Sequence, residues 1–138
     1  MNAMIVSASG DRQKRMRLRV VSEPHDMARG LSFVDRLPDD EGMLFLMGGL
    51  QTPSFWMKDV SIPLDLAWLG SAADVGPGGL VVLRVVSVSR GVPHSLEALR
   101  PPAPCVAVLE LAGGWFRRNG MGTGATLRVP LVASWPVL

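Results

Sequence analysis

FWMKDVSIPLDLAWLG, residues 55–70, sets a lysine, two aspartates and two tryptophans among mostly apolar neighbours. Residues 55–58 and 64–69 each read as an extended strand. The short connection between them holds Pro63, which has no backbone N–H to give and belongs at a strand's start or edge. The stretch therefore predicts a hairpin, with Lys58 and Asp65 on opposite arms close to the bend. Facing strands run ~4.8 Å apart, so the two charges can meet if the register sets them on one face. Surrounded by apolar side chains, such a pair would fix one arrangement of the chain rather than add much net stability.

Outward from this hairpin the chain keeps a β rhythm. RMRLRVV, residues 15–21, alternates strictly, Met16, Leu18 and Val20 facing one way and Arg15, Arg17 and Arg19 the other, as a strand with one wet face does. Ser22, Glu23 and Pro24 then start a short helix over 25–29, and Gly30 stops it. After a turn at 38–42, residues 43–47 form an apolar strand that Gly48, Gly49 and Pro53 end. SAADVGPGG, residues 71–79, reads as a turn-rich loop, and 80–90 as a strand that is apolar on both faces at its start. Four prolines keep 91–104 a loop. Residues 105–111 form a further strand, 115–119 a helical turn and 125–132 a closing strand. The expected class is mainly β (α+β), a curled or barrel-like antiparallel sheet with one or two short helices. Residues 15–138 make one domain, preceded by a basic arm over 1–14.

Composition agrees. A hydrophobic share of 48% with 19% charged residues describes a globular chain, and 15 glycines with 11 prolines supply many turns. The lone Cys105 excludes an internal disulfide and reads as a small buried thiol. AMIV is too short for the apolar core of a secretory signal, and no run reaches a membrane span, so a soluble location is expected: the cytoplasm, or a particle assembled there. Residues 1–20 hold five basic residues against one aspartate, +4, which leaves −2 for the remainder of a chain with net charge +2.

Three stretches in order, MARGLSFVDRLPDDEGMLF (27–45), SFWMKDVSIPLDLAWL (54–69) and VAVLELAGGWFRRNGMGTGATL (106–127), resemble the DUF192 family of small bacterial and archaeal proteins. The resemblance covers about residues 17–128. It implies a compact, mainly β domain with a short helix after the first strand and no established activity. It also implies that the helix lies near the 55–70 hairpin, which would bring Arg29 to Lys58 and Asp65. Two readings of that cluster follow: a structural ion-pair network, or a small-ligand pocket using Arg29, Lys58 and Asp65 under Trp56 and Trp68. Asp59 stands where the family often has asparagine. Pro93-His94 stands where it commonly has proline-cysteine, which weakens any thiol chemistry carried over from relatives.

No catalytic constellation emerges. His25 and His94 lack partners at ligand spacing, so neither a metal nor a cofactor is expected. Ser95 has no nucleophile elbow. GMGTG, residues 120–124, follows a helical turn and precedes a strand, the reverse of a phosphate-binding loop. The basic residues Arg12, Lys14, Arg15, Arg17 and Arg19 suit docking on an acidic protein surface. Nucleic acid is disfavoured because no aromatic residue interleaves them. The expectation is a non-enzymatic structural or interaction module, a scaffold, cement or decoration component of an assembly such as a virus-like shell, with protein partners in that assembly and self-association as an option. The alternative is the small-ligand binding domain.

Overall fold

The computed structural model describes residues 1–76 and 79–130. Seven strands and two short helices follow one another as β1 (Asn2–Val6), β2 (Gln13–Val21), α1 (Pro24–Arg29), β3 (Glu41–Gln51), β4 (Leu64–Gly76), β5 (Leu80–Gly91), β6 (Cys105–Ala112), α2 (Trp115–Arg118) and β7 (Thr126–Pro130). The strands close into a barrel in the order β1-β2-β3-β6-β4-β5-β7. Every neighbouring pair is antiparallel except β2 and β3, which run parallel. A parallel pair needs a crossover rather than a hairpin. Here α1 and residues 30–40 make it.

Alternation in the strands sorts side chains into two cores. One fills the barrel: Ile5, Met16, Leu18, Leu44, Leu69 and Leu109 belong to a buried cluster to which all seven strands contribute. The second lies outside the wall formed by β3, β6 and β4, where Phe45, Leu66, Trp68 and Val108 meet Leu31 from the crossover and Met57 and Val60 from the β3–β4 connection. One stretch of sheet is thus buried on both faces, which is why 43–47 and 105–111 read as continuous apolar runs rather than alternating ones.

Most expected strands and both helices are present, with three corrections. Residues 1–14 are not an arm: residues 2–6 are strand β1, paired with both β2 and β7, with Ala3 and Ile5 in the barrel core. A five-residue strand with two inward side chains leaves too short a pattern to recognise against the charges that follow it. Residues 55–58 are not a strand. Phe55 makes an isolated bridge to Leu99, and the rest of the segment is loop. The hairpin partner of β4 is instead β5, and β4 extends through Gly76 into the segment expected as loop. Of the closing strand expected over 125–132, residues 126–130 form β7 and 131–132 lie outside the described residues, as does the side chain of His25.

Candidate functional site

Asp65 and Lys58 sit on opposite sides of the barrel wall. On β4, Asp65 shares its face with Ala67 and Leu69, which belong to the barrel interior, while Leu64, Leu66 and Trp68 face the outer core. The carboxylate is buried and accepts two backbone hydrogen bonds, from Gly114 N–H at 2.9 Å and Phe116 N–H at 3.2 Å. Two residues earlier, the Pro63 carbonyl accepts from Gly113 N–H at 2.9 Å, and a side chain at Gly113 would put its Cβ 2.7 Å from that of Pro63. Gly114 takes φ 80°, a left-handed conformation that glycine adopts without steric cost. The Ile-Pro-Leu-Asp run and the Gly-Gly-Trp-Phe turn are therefore one device: it starts α2 and brings Trp115 and Phe116 into the barrel core.

The Lys58–Asp65 ion pair expected from the sequence is absent among the described residues, because the wall separates the two groups. Lys58 is exposed, its Nζ 5.3 Å from the ring centroid of Trp56, which is itself 53% exposed. Trp68 is not among the residues that line the cavity beside Trp56 and Lys58. It is wholly buried and donates its indole N–H to Ser89 Oγ at 2.9 Å. Arg29, at the end of α1, does come close to Trp56 and Lys58: all three line one cavity.

That cavity, of about 220 Å³, lies between the crossover and the β3–β4 connection. Met27 to Ser32 form one side, residues 53–56 with Lys58 and Val60 the other, and Phe45 and Glu110 line it from the sheet. Phe55 meets Phe45 edge-on at 5.1 Å between centroids and Trp68 at 5.9 Å, so aromatic edges hold that side in place.

Glu110 is the residue that sequence reading passed over. It sits mid-strand on β6, opposite Met43 on β3 and Leu66 on β4, and is only 6% exposed. Its carboxyl makes no hydrogen bond or ion pair among the described residues. Both cross-strand neighbours are apolar, and burial pushes its pKa up to about 8. At neutral pH it is mainly a carboxylic acid, able both to donate and to accept. The signal available in the sequence was a single acid inside CVAVLEL, a run otherwise fit for burial. Nearby Cys105 is buried as expected, and burial raises its thiol pKa too.

Of the basic residues, Arg12 lies against Gly120 near the β1–β2 turn, and Lys14, Arg15, Arg17 and Arg19 lie along β2. The strict alternation of β2 is as expected, with Met16 and Leu18 in the barrel and the arginines exposed. Arg17 is engaged, 2.9 Å from Glu41 and 3.9 Å from Asp40. His94 is exposed on the loop after β5, and among the described residues no three His, Cys, Asp or Glu side chains gather as a metal site would need.

The architecture and the paired Pro63–Asp65 and Gly113–Phe116 segments accompany a match to DUF192, described as an uncharacterized ACR family, over residues 4–129. The chain belongs to the DUF192 family. A solved structure from Sinorhizobium meliloti 1021, described as a candidate transcription regulator, superposes with a TM-score of 0.80 at 28% identity, covering 91% of this chain and 90% of that one. Another, a protein of unknown function from Novosphingobium aromaticivorans DSM 12444, gives a TM-score of 0.78 at 30% identity over 92% and 83%. Among curated proteins none matches the chain. No helix among the described residues is long and apolar enough to cross a membrane.

Proposed function

We propose that this DUF192 domain binds a small ring-shaped polar molecule in the cavity beneath α1, with the Glu110 carboxylic acid as the recognising group. The observation that carries the reading is a glutamate only 6% exposed whose carboxyl, without a protein partner among the described residues, keeps its remaining accessible surface where the residue lines a cavity. A carboxyl set among apolar neighbours with no protein partner is poorly solvated, and a ligand that supplies its hydrogen bonds gains on binding. A neutral acid offers one donor beside one acceptor. Its best complement is a ring edge with the same pair in reverse, as in a lactam or a pyrimidine-type heterocycle. Phe45, Phe55 and Trp56 supply apolar surface for such a ring, and the volume, below the ~300 Å³ of drug-sized sites, suits a fragment-sized group.

The test is a screen of ring fragments with adjacent donor and acceptor, followed by amide NMR. Saturable shifts at residues 30–32 and 55–58 are expected. Glu110→Gln, which keeps a donor and an acceptor, should bind within about tenfold of the parent, and Glu110→Leu should lose binding. Fragments that bind the Leu variant as tightly as the parent would refute the reading.

A second reading, the assembly component expected from the sequence, no longer draws on a free basic arm. Its support is Phe33, 79% exposed with φ 64°, an unusual place for a bulky residue, and exposed Val92 and Leu96. Solution mass tests self-association: a monomer whose mass is unchanged with concentration counts against it.

A further inference from the structure

Beside the cavity runs a second, more open hollow of about 420 Å³, and the two share Arg29, Gly30, Leu31 and Ser32 among their lining residues. Its lining carries Arg17, Arg19, Arg29 and Arg36 against a single acid, Glu41, a net of three positive charges. The Arg17–Glu41 pair at 2.9 Å uses the one acid on the one arginine. Arg19, Arg29 and Arg36 have no acidic partner among the described residues. They come from three separate elements: β2, the end of α1 and the crossover after it. Three guanidinium groups lining one hollow repel one another, and an anion placed among them relieves that repulsion while accepting several charge-assisted hydrogen bonds.

We propose that this hollow is the phosphate subsite of the same ligand, so that the molecule bound at Glu110 is a phosphorylated ring compound. The proposal rests on the Glu110 reading for the ring and on the arginines for the phosphate. Arg29 borders both spaces and is the point where the two parts of the ligand would join. This also gives a role to the partly exposed side of the cavity, since a molecule with a charged end needs a path from ring pocket to water. The arginine spacing along β2, noted in the sequence as a wet face, contributes only Arg19 to the subsite; the other two come from the crossover, and periodicity could not bring them together.

Inorganic pyrophosphate is the probe, titrated into the full chain at physiological salt and followed by the side-chain Nε–H signals of the arginines and the amide of Ser32. Saturable shifts confined to Arg19, Arg29, Arg36 and Ser32 are expected. The double variant Arg19→Gln/Arg36→Gln should weaken the affinity by at least about tenfold, as loss of two charge-assisted contacts requires. Arg84→Gln, an exposed side chain on β5, should leave it unchanged. Shifts spread over all exposed arginines without saturation, or an affinity the double variant does not alter, would overturn the proposal. So would a single-stranded polyuridylate RNA that binds at least about tenfold tighter than pyrophosphate, since that would assign the arginines to a polynucleotide backbone. Pyrophosphate is read at the arginines and ring fragments at Glu110, so the two readings fail separately: fragment binding without pyrophosphate binding removes only the phosphate.

Discussion

Replacing Glu110 with glutamine keeps the size and the hydrogen-bonding ends of the side chain and removes its titration. In the folded protein the acid holds its proton up to about pH 8, whereas in the unfolded chain it releases it near 4.5. Between those values the native state binds more protons than the unfolded state, so native stability falls as pH rises, by up to about 1.4 kcal/mol per pH unit. The contribution is fully present below pH 4.5 and lost by the time the pH passes 8. Integrated between pH 5 and pH 8, the loss from this one group is about 3 to 4 kcal/mol, a large part of the ~5–15 kcal/mol typical of a small domain. The glutamine variant should lack it. Urea unfolding of both proteins at half-unit steps from pH 5 to 8.5 gives the difference curve directly, because titrations common to both cancel. Parallel curves, differing by less than about 1 kcal/mol across the range, would mean that the carboxyl reaches water or a counter-charge, and the account of the cavity would fall with it.

Asp65→Ala leaves the N–H groups of Gly114 and Phe116 without their acceptor and should cost about 2 to 4 kcal/mol in denaturant unfolding, with Asp65→Asn milder because one acceptor remains. Lys58→Met, by contrast, should change stability by less than about 1 kcal/mol, since it removes only an exposed cation over Trp56; a larger loss would restore a buried pair. Gly42→Ala would place a Cβ 2.8 Å from the carbonyl oxygen of Glu110, backbone that cannot step aside, so a drop of about 1 to 3 kcal/mol is expected in the same measurement.

What the sequence made legible followed local period. β2 was plain because Arg15, Arg17 and Arg19 alternate with apolar residues, and α1 because Pro24 and Gly30 bracket it. The class, mainly β and curled, followed from counting such elements. What stayed hidden was lateral order. Nothing in a one-dimensional pattern says that β6 inserts between β3 and β4, and that insertion decides where Glu110 lies. The mistaken pairing of Lys58 with Asp65 has the same origin: chain proximity suggested a hairpin, while the strand beside Asp65 was β6, whose following turn supplies the N–H donors. Asp65 finds its partners not in Lys58 but in two peptide groups some fifty residues on. Glu110 went unnoticed because the run around it reads as core, and a carboxyl in such a run draws notice only once a cavity is seen beside it.

Among the described residues the seam between β1 and β7 joins three residue pairs, Met4 with Arg128, Ile5 with Leu127 and Val6 with Thr126. During synthesis its two halves emerge more than a hundred residues apart, and at ribosomal speeds that interval is roughly 6 to 25 seconds. Until β7 arrives, the free sides of β1 and β5 both stand open as templates for another chain. Strand β7 is thus what turns a nascent, adhesive sheet into a sealed one, and slowing its delivery should increase aggregation more than destabilising the finished barrel would.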